Sequence, residues 1–154
     1  MNAAQSHKML ILHVLGSADR GGTETMTARL ASNMEPTFRN ELCFLGKRGP
    51  IGEELENKGF KVYYLPLTNP WAIPIAILRL YCLLRTNRYD ILHFYGLKAN
   101  FLGRILGRLS GHKKILGGLR SKYPAGIKKS WTLWVDRLTF SLSLGYVSNS
   151  QAAI

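Results

Sequence analysis

The sequence predicts an α/β fold, a doubly wound Rossmann-like parallel sheet, on three observations. Short apolar runs alternate strictly with longer helical patterns along the 154 residues. The alternation yields six strands and five connecting helices, and parallel neighbours need such helical crossovers, which are right-handed. Glycines, amides, hydroxyls and cations follow the apolar runs, so they collect on the rim at the carboxyl ends of the strands, where open α/β sheets bind ligands.

The elements follow in order. A buried strand over 8–15 carries MLILHVL and runs into the glycines of 16–22, and a helix over 22–34 begins with Thr23 as N-cap and Glu24 in its first turn. A strand over 40–46 ends in GKRGP and leads to a helix over 51–58. The strand over 61–65 ends in PLTNPW before a helix over 72–86. Another strand, 90–94, delivers His93, Tyr95 and Gly96 to the rim, ahead of a helix over 98–110. The strand over 113–119 ends in GGLRSKYP, a helix spans 127–142, and a last strand over 145–148 ends in SNS.

A chain of this length forms one domain with one core and buries roughly two thirds of its unfolded surface. Its net charge of +12 is uneven: residues 1–78 carry eight Lys/Arg against seven Asp/Glu, and residues 79–154 carry thirteen against two. An anionic partner is expected, whether phosphate groups, nucleic acid or an anionic membrane surface. Cys43 and Cys82, 39 residues apart and without a CxxC or Cys/His cluster, read as reduced core thiols of a cytoplasmic protein with no metal site. The most apolar stretch, WAIPIAILRLYCLL, is broken by Pro74 and Arg79 and is shorter than the roughly 20 residues of a membrane span.

Gly21 and Gly22 admit two readings. Bare backbone at a helix N-terminus lets an anion approach free N–H groups, as phosphates do in glycine-rich loops. Alternatively, the pair serves a turn that needs positive φ. Neither GxGxxG nor GxxxxGK[ST] occurs here, so the usual dinucleotide and P-loop patterns do not apply.

The stretch HVLGSADRGGTETMTARLASNM resembles the opening of family 4 glycosyltransferases, retaining enzymes of the GT-B fold. GPIGEELENKGFKVYYLPL, RYDILHFYGLKANFLGRILGRLSGHKKILGGLRSKYP and LGYVSNSQAAI fit the family in order, and together the four cover nearly the whole chain. The resemblance implies that residues 1–154 are one half of a GT-B fold: the N-terminal, acceptor-side domain, without the C-terminal donor-binding domain. It further implies a nucleotide-sugar donor as substrate, a glycan or lipid-linked acceptor, and no metal or other cofactor. The implied substrate-binding residues are Gly21, Gly22, His93, Tyr95, Lys98, Asn100, Arg120 and Ser121, with no catalytic residue certain in this half.

These positions keep plainer alternatives. His93 takes the first place of the family's H-x-H-like segment and Tyr95 the second, but a lone histidine at a strand end is commonly a hydrogen-bonded structural residue. Lys98 and Asn100 match the family's lysine and asparagine at a helix start, where a solvated first turn is equally expected. Arg120 replaces a histidine found in many members. It holds an oxyanion bidentately but cannot act as a base. Arg104 and Arg108 lie four residues apart on a helix whose apolar face comprises Phe101, Leu102, Ile105, Leu106 and Leu109. With Arg79, Arg85, Arg88, Lys113, Lys114, Lys128 and Lys129 they offer a surface to anionic lipid at the inner face of a membrane, and Trp131 and Trp134 suit either that interface or the core.

The leading expectation is therefore a glycosyltransferase domain of hexosyltransferase type, inactive alone. The alternative is a basic module that binds membrane surfaces or RNA without catalysis. No RNP-like, helix-turn-helix, KH or zinc pattern supports nucleic acid.

Overall fold

The computed structural model describes residues 8–67, 69–119, 138–139 and 141–148. Along the chain these form β1 (Met9–Leu15), α1 (Gly22–Asn33), β2 (Phe38–Phe44), α2 (Pro50–Asn57), β3 (Lys61–Tyr64), α3 (Ile73–Thr86), β4 (Ile91–Tyr95), α4 (Leu97–Leu109), β5 (Ile115–Leu119) and β6 (Gly145–Ser148). The six strands make one parallel sheet in the order β3-β2-β1-β4-β5-β6. The chain moves outward from β1 to β3 and then crosses back to β4. Right-handed crossovers therefore set α1 and α2 on one face and α3 and α4 on the other.

Side chains alternate between the two faces along each strand, giving two cores. Leu12, Val14 and Cys43 pack with Leu80, Leu84 and Leu106, under α3 and α4. Leu15, Leu42 and Phe44 pack with Ala28, Ile51 and Leu55, under α1 and α2. Gly103 lets α4 press on the sheet, because a methyl group there would fall on the Phe94 ring; at Gly107 it would come within 2.9 Å of Ile115 and 3.1 Å of Leu92.

The sheet also buries a carboxylate. Glu41, 2% exposed, accepts hydrogen bonds from Tyr89 Oη at 2.9 Å and Tyr63 Oη at 3.1 Å, with Arg39 at 3.4 Å and Lys61 at 3.9 Å. We expect Tyr89→Phe to cost about 1 kcal/mol in urea unfolding and Glu41→Leu, which strands two phenols, about 3 kcal/mol.

Several sequence expectations are corrected. β2 starts at Phe38 rather than 40, since it pairs with β1 along its whole length, from Met9↔Phe38 to Leu15↔Phe44. The N-cap of α1 is Gly21, not Thr23, which is buried. Gly21 is extended (φ −122°, ψ 168°); among the described residues positive φ falls on Gly59, Gly96 and Gly111, so the double glycine does not serve a left-handed turn. Cys43 is buried, and burial pushes its thiol up to about 12, but Cys82 is exposed. Arg104 is 0% exposed and donates to Thr139 Oγ1 at 2.9 Å, so it offers nothing to a lipid surface, and Leu109 points outward at 65% exposure. The inward residues of α4 are Ala99, Asn100, Gly103, Arg104, Leu106 and Gly107. The helix expected over 127–142, and with it Trp131 and Trp134, falls for the most part outside the described residues.

Candidate functional site

The loops after β1 and β2 close on each other at the carboxyl rim. Their glycines permit it: a Cβ at Gly49 would stand 2.8 Å from the Ala18 carbonyl oxygen, and one at Gly46 would stand 3.2 Å from that of Gly16. Backbone hydrogen bonds lock the approach, from Ile51 N–H to Ala18 O at 3.0 Å and from Leu45 N–H to Leu15 O at 2.8 Å. Between these loops lies a cleft of about 330 Å³, bounded by Gly16, Ser17, Asp19, Gly46, Lys47 and Lys98 among others. Ser17 Oγ donates to Asp19 Oδ2 at 2.6 Å, which fixes that loop. Arg48, also on the cleft, is held by Glu56 at 2.6 Å and Glu53 at 3.5 Å. Lys47 and Lys98 are the lysines on its wall.

The N-terminus of α1 follows the cleft residue Asp19 by two positions, with Gly21 N–H donating to Asp19 O at 3.0 Å, and is covered by its own side chain. The Glu24 carboxylate folds back over Gly21, where a Cβ would collide with it. It sits at the N3 position, as the acid of a capping box does, and its charge complements the helix dipole. An anion approaching these N–H groups must displace Glu24. We therefore expect Glu24→Gln to raise the affinity for pyrophosphate about two- to five-fold, read by calorimetry; unchanged affinity means that the helix end takes no anion.

A buried hydrogen-bond chain crosses three strands beneath α1. Asn40 Nδ2 donates to Ala31 O at 3.3 Å, which leaves Asn40 Oδ1 to accept from His13 Nε2 at 3.1 Å. Burial lowers the His13 pKa to about 4, so the ring is neutral and its Nδ1 is an acceptor. Tyr95 Oη donates to that nitrogen at 3.1 Å and accepts from His93 Nδ1 at 2.8 Å. Burial, together with the nearby His13, lowers the His93 pKa to about 3, and burial raises that of the Tyr95 phenol. The proton positions follow from this polarity. His93 Nε2 is left as a buried acceptor without a partner among the described residues.

The described residues among those singled out from the sequence occupy three different settings. Lys98 lines the cleft. Gly21 and Gly22 begin α1, just after the cleft residue Asp19. His93, Tyr95 and Asn100 are buried at 6%, 6% and 4% exposure. Asn100 Nδ2 donates to Gly118 O at 3.1 Å, strapping α4 to the end of β5. Gly96, which caps α4, has φ 82°, a left-handed value that favours glycine. Arg120 and Ser121 lie outside the described residues. Sequence reasoning did not single out His13 or Asn40 as partners, although His13 was visible as a polar residue inside an apolar strand. A separate open depression of about 700 Å³ lies at the opposite rim, where Arg85, Arg88, Lys113 and Lys114 gather around Asp90 and His112.

No protein-family profile matches the chain. Among curated proteins, it is 27% identical over 84 residues to the capsular polysaccharide biosynthesis glycosyltransferase CapH of Staphylococcus aureus, covering 54% of this chain and 22% of that one. Among solved structures, it is similar to Anabaena HepE in complex with UDP, with a TM-score of 0.76 and 19% identity over 94% of this chain and 39% of that one. It is also similar to MurG of Acinetobacter baumannii, with a TM-score of 0.64 and 10% identity over 95% of this chain and 42% of that one. The chain spans about a fifth of the length of CapH and about two fifths of the two solved proteins. These likenesses establish the architecture: an α/β, doubly wound Rossmann-like sheet of the kind found in GT-B structures.

Proposed function

We propose that this chain is the acceptor-side domain of a retaining family 4 glycosyltransferase that moves a hexosyl group from a nucleotide sugar to a glycan or lipid-linked acceptor. The observation that carries the reading is the rim cleft, where the loops after β1 and β2 interlock at the carboxyl ends of the strands beside Lys98. The resemblance of the glycine-rich opening and the likeness to UDP-bound HepE support it. In this reading the domain binds and orients the acceptor, with Lys47 and Lys98 neutralising anionic groups, and excludes water once a second domain closes over the cleft. Arg120 and Ser121 keep in this reading the substrate-binding role that the resemblance implies. The test is a panel of sugar nucleotides offered to this chain alone and to a chain carrying a C-terminal donor-binding domain. We expect no turnover from the first and transfer with retained anomeric configuration from the second; tight nucleotide binding by residues 1–154 alone overturns the half-enzyme assignment.

One observation adds a location to this reading. No described helix is long and apolar enough to cross a membrane, yet α3 exposes apolar side chains on its outer surface. Ile75 and Leu78 are 55% and 60% exposed and Trp71, just before the helix, 87%; Arg79 and Arg85 are also on α3, which has no acidic residue. That pattern fits a helix lying in the interface of an anionic bilayer, with the protein peripheral at the cytoplasmic face. Replacing Trp71 and Leu78 together by serine is expected to lower binding to vesicles containing phosphatidylglycerol by at least ten-fold in a sedimentation assay; equal binding removes α3 from the interface. The RNA-binding alternative has charge alone behind it, and steep loss of RNA affinity with salt is all that it predicts.

A further inference from the structure

The first two turns of α3 and α4 border an open, shallow groove beside the rim cleft. Its walls are Leu67, Ile73, Ile77, Phe101 and Leu102, its volume is about 230 Å³, and its one charged wall residue is Lys98. Leu67 and Lys98 belong to the cleft as well, so the groove and the polar cleft are continuous. Lys98 is exposed and stands where the apolar walls give way to the cleft. A cation on the edge of a small apolar groove matches a molecule with a hydrocarbon chain joined directly to an anionic group, which neither a free glycan nor a neutral lipid presents. Two of its walls, Ile73 and Ile77, belong to α3, the helix that also exposes Ile75 and Leu78.

We propose that this groove binds the hydrocarbon chain of a lipid phosphate, with the phosphate on Lys98, and so selects a lipid-linked acceptor over a free glycan. The assignment of this ligand as an acceptor rests on the glycosyltransferase reading; the binding itself does not. Filling the groove with methylenes gains roughly four-fold in affinity per carbon. The gain stops when the groove is full, whereas adsorption on an open surface continues to strengthen with chain length.

The experiment is a titration of the chain with hexyl, octyl and decyl phosphate, decanol and inorganic phosphate below their critical micelle concentrations, followed by methyl NMR. The expected result is saturable binding that levels off with chain length, shifts at Ile73, Ile77 and Leu102, and at least ten-fold preference for decyl phosphate over both decanol and inorganic phosphate. Lys98→Gln, a change at an exposed site, should bring decyl phosphate down to the level of decanol, and Phe101→Ala should weaken both. Equal binding of decanol and decyl phosphate, shifts confined to Ile75 and Leu78, or no saturable binding overturns the proposal. The sugar-transfer assay reports separately. Transfer to a free glycan as fast as to a lipid phosphate leaves the glycosyltransferase standing without this selectivity, and alkyl phosphate binding without transfer from any donor leaves the groove standing without the enzyme.

Discussion

Below pH 6.5 the stability of the chain is expected to fall by about 2.7 kcal/mol per pH unit through two histidines alone, about 1.4 kcal/mol for each. In the folded state His13 protonates only near 4 and His93 only near 3, whereas in the unfolded chain both protonate near 6.5. Above that value neither state carries the charge and there is no penalty. As the pH falls through 6.5 the unfolded state takes up protons that the folded state refuses, so stability is lost until the folded values are reached. By pH 4 the two together remove about 6 kcal/mol, a large part of a typical reserve of about 5–15 kcal/mol. Urea denaturation at half-unit intervals from pH 7.5 to 4.5 measures the slope. His93→Phe removes one of the two groups and the unpartnered Nε2, while Tyr95 keeps its bond to His13, so the slope should halve with little change at pH 7.5. An identical slope in the variant would show that His93 is not kept neutral by the fold.

Gly103→Leu is expected to destabilise the protein by about 3 kcal/mol and to lower its Tm by roughly 6–12 °C. The side chain would enter the space of Phe94, which is 0% exposed at the centre of the sheet and has nowhere to retreat. Gly16→Leu is the control: nothing lies within 4 Å of its Cβ position, so the change should leave Tm unaltered and narrow only the rim cleft. Equal losses from the two substitutions would mean that α4 does not press on the sheet through Gly103.

The order of elements was legible because each strand is a short apolar run and each crossover a longer helical pattern; β1, β4 and β6 fall within a residue or two of their expected positions. Polar burial was not legible. The expected strand began at Asn40 and left out Phe38 and Arg39, which pair with β1, and the buried partners of Asn40 and Glu41 come from α1, β1 and the segment before β4, far away in sequence. Helical periodicity also misread Arg104, which is buried through a contact with Thr139, 35 residues on, and the lack of a cysteine motif misread Cys82, which lies exposed on α3. At the site, the gathering of loop residues on one rim was readable from strand endings. That Glu24 folds over the double-glycine helix end, and that Tyr95 bonds to both His13 and His93 inside the fold, needed three-dimensional neighbours.

The hydrogen-bond chain through Asn40, His13, Tyr95 and His93 has a consequence for how this protein can change over generations. Every link donates in one direction, from His93 through Tyr95, His13 and Asn40 to the Ala31 carbonyl, so each side chain is suited to its neighbour's proton as well as to its shape. A lineage that replaces His13 by an apolar residue leaves Asn40 without its donor and deprives the Tyr95 hydroxyl of its acceptor, and a lineage that replaces Tyr95 by Phe empties both imidazoles of a partner. Single steps therefore pass through buried, unpaired polar groups, each costing about 1–3 kcal/mol. Positions 13, 40 and 95 are free to drift only together, and a relative that has lost one of them should have exchanged the others for apolar residues too.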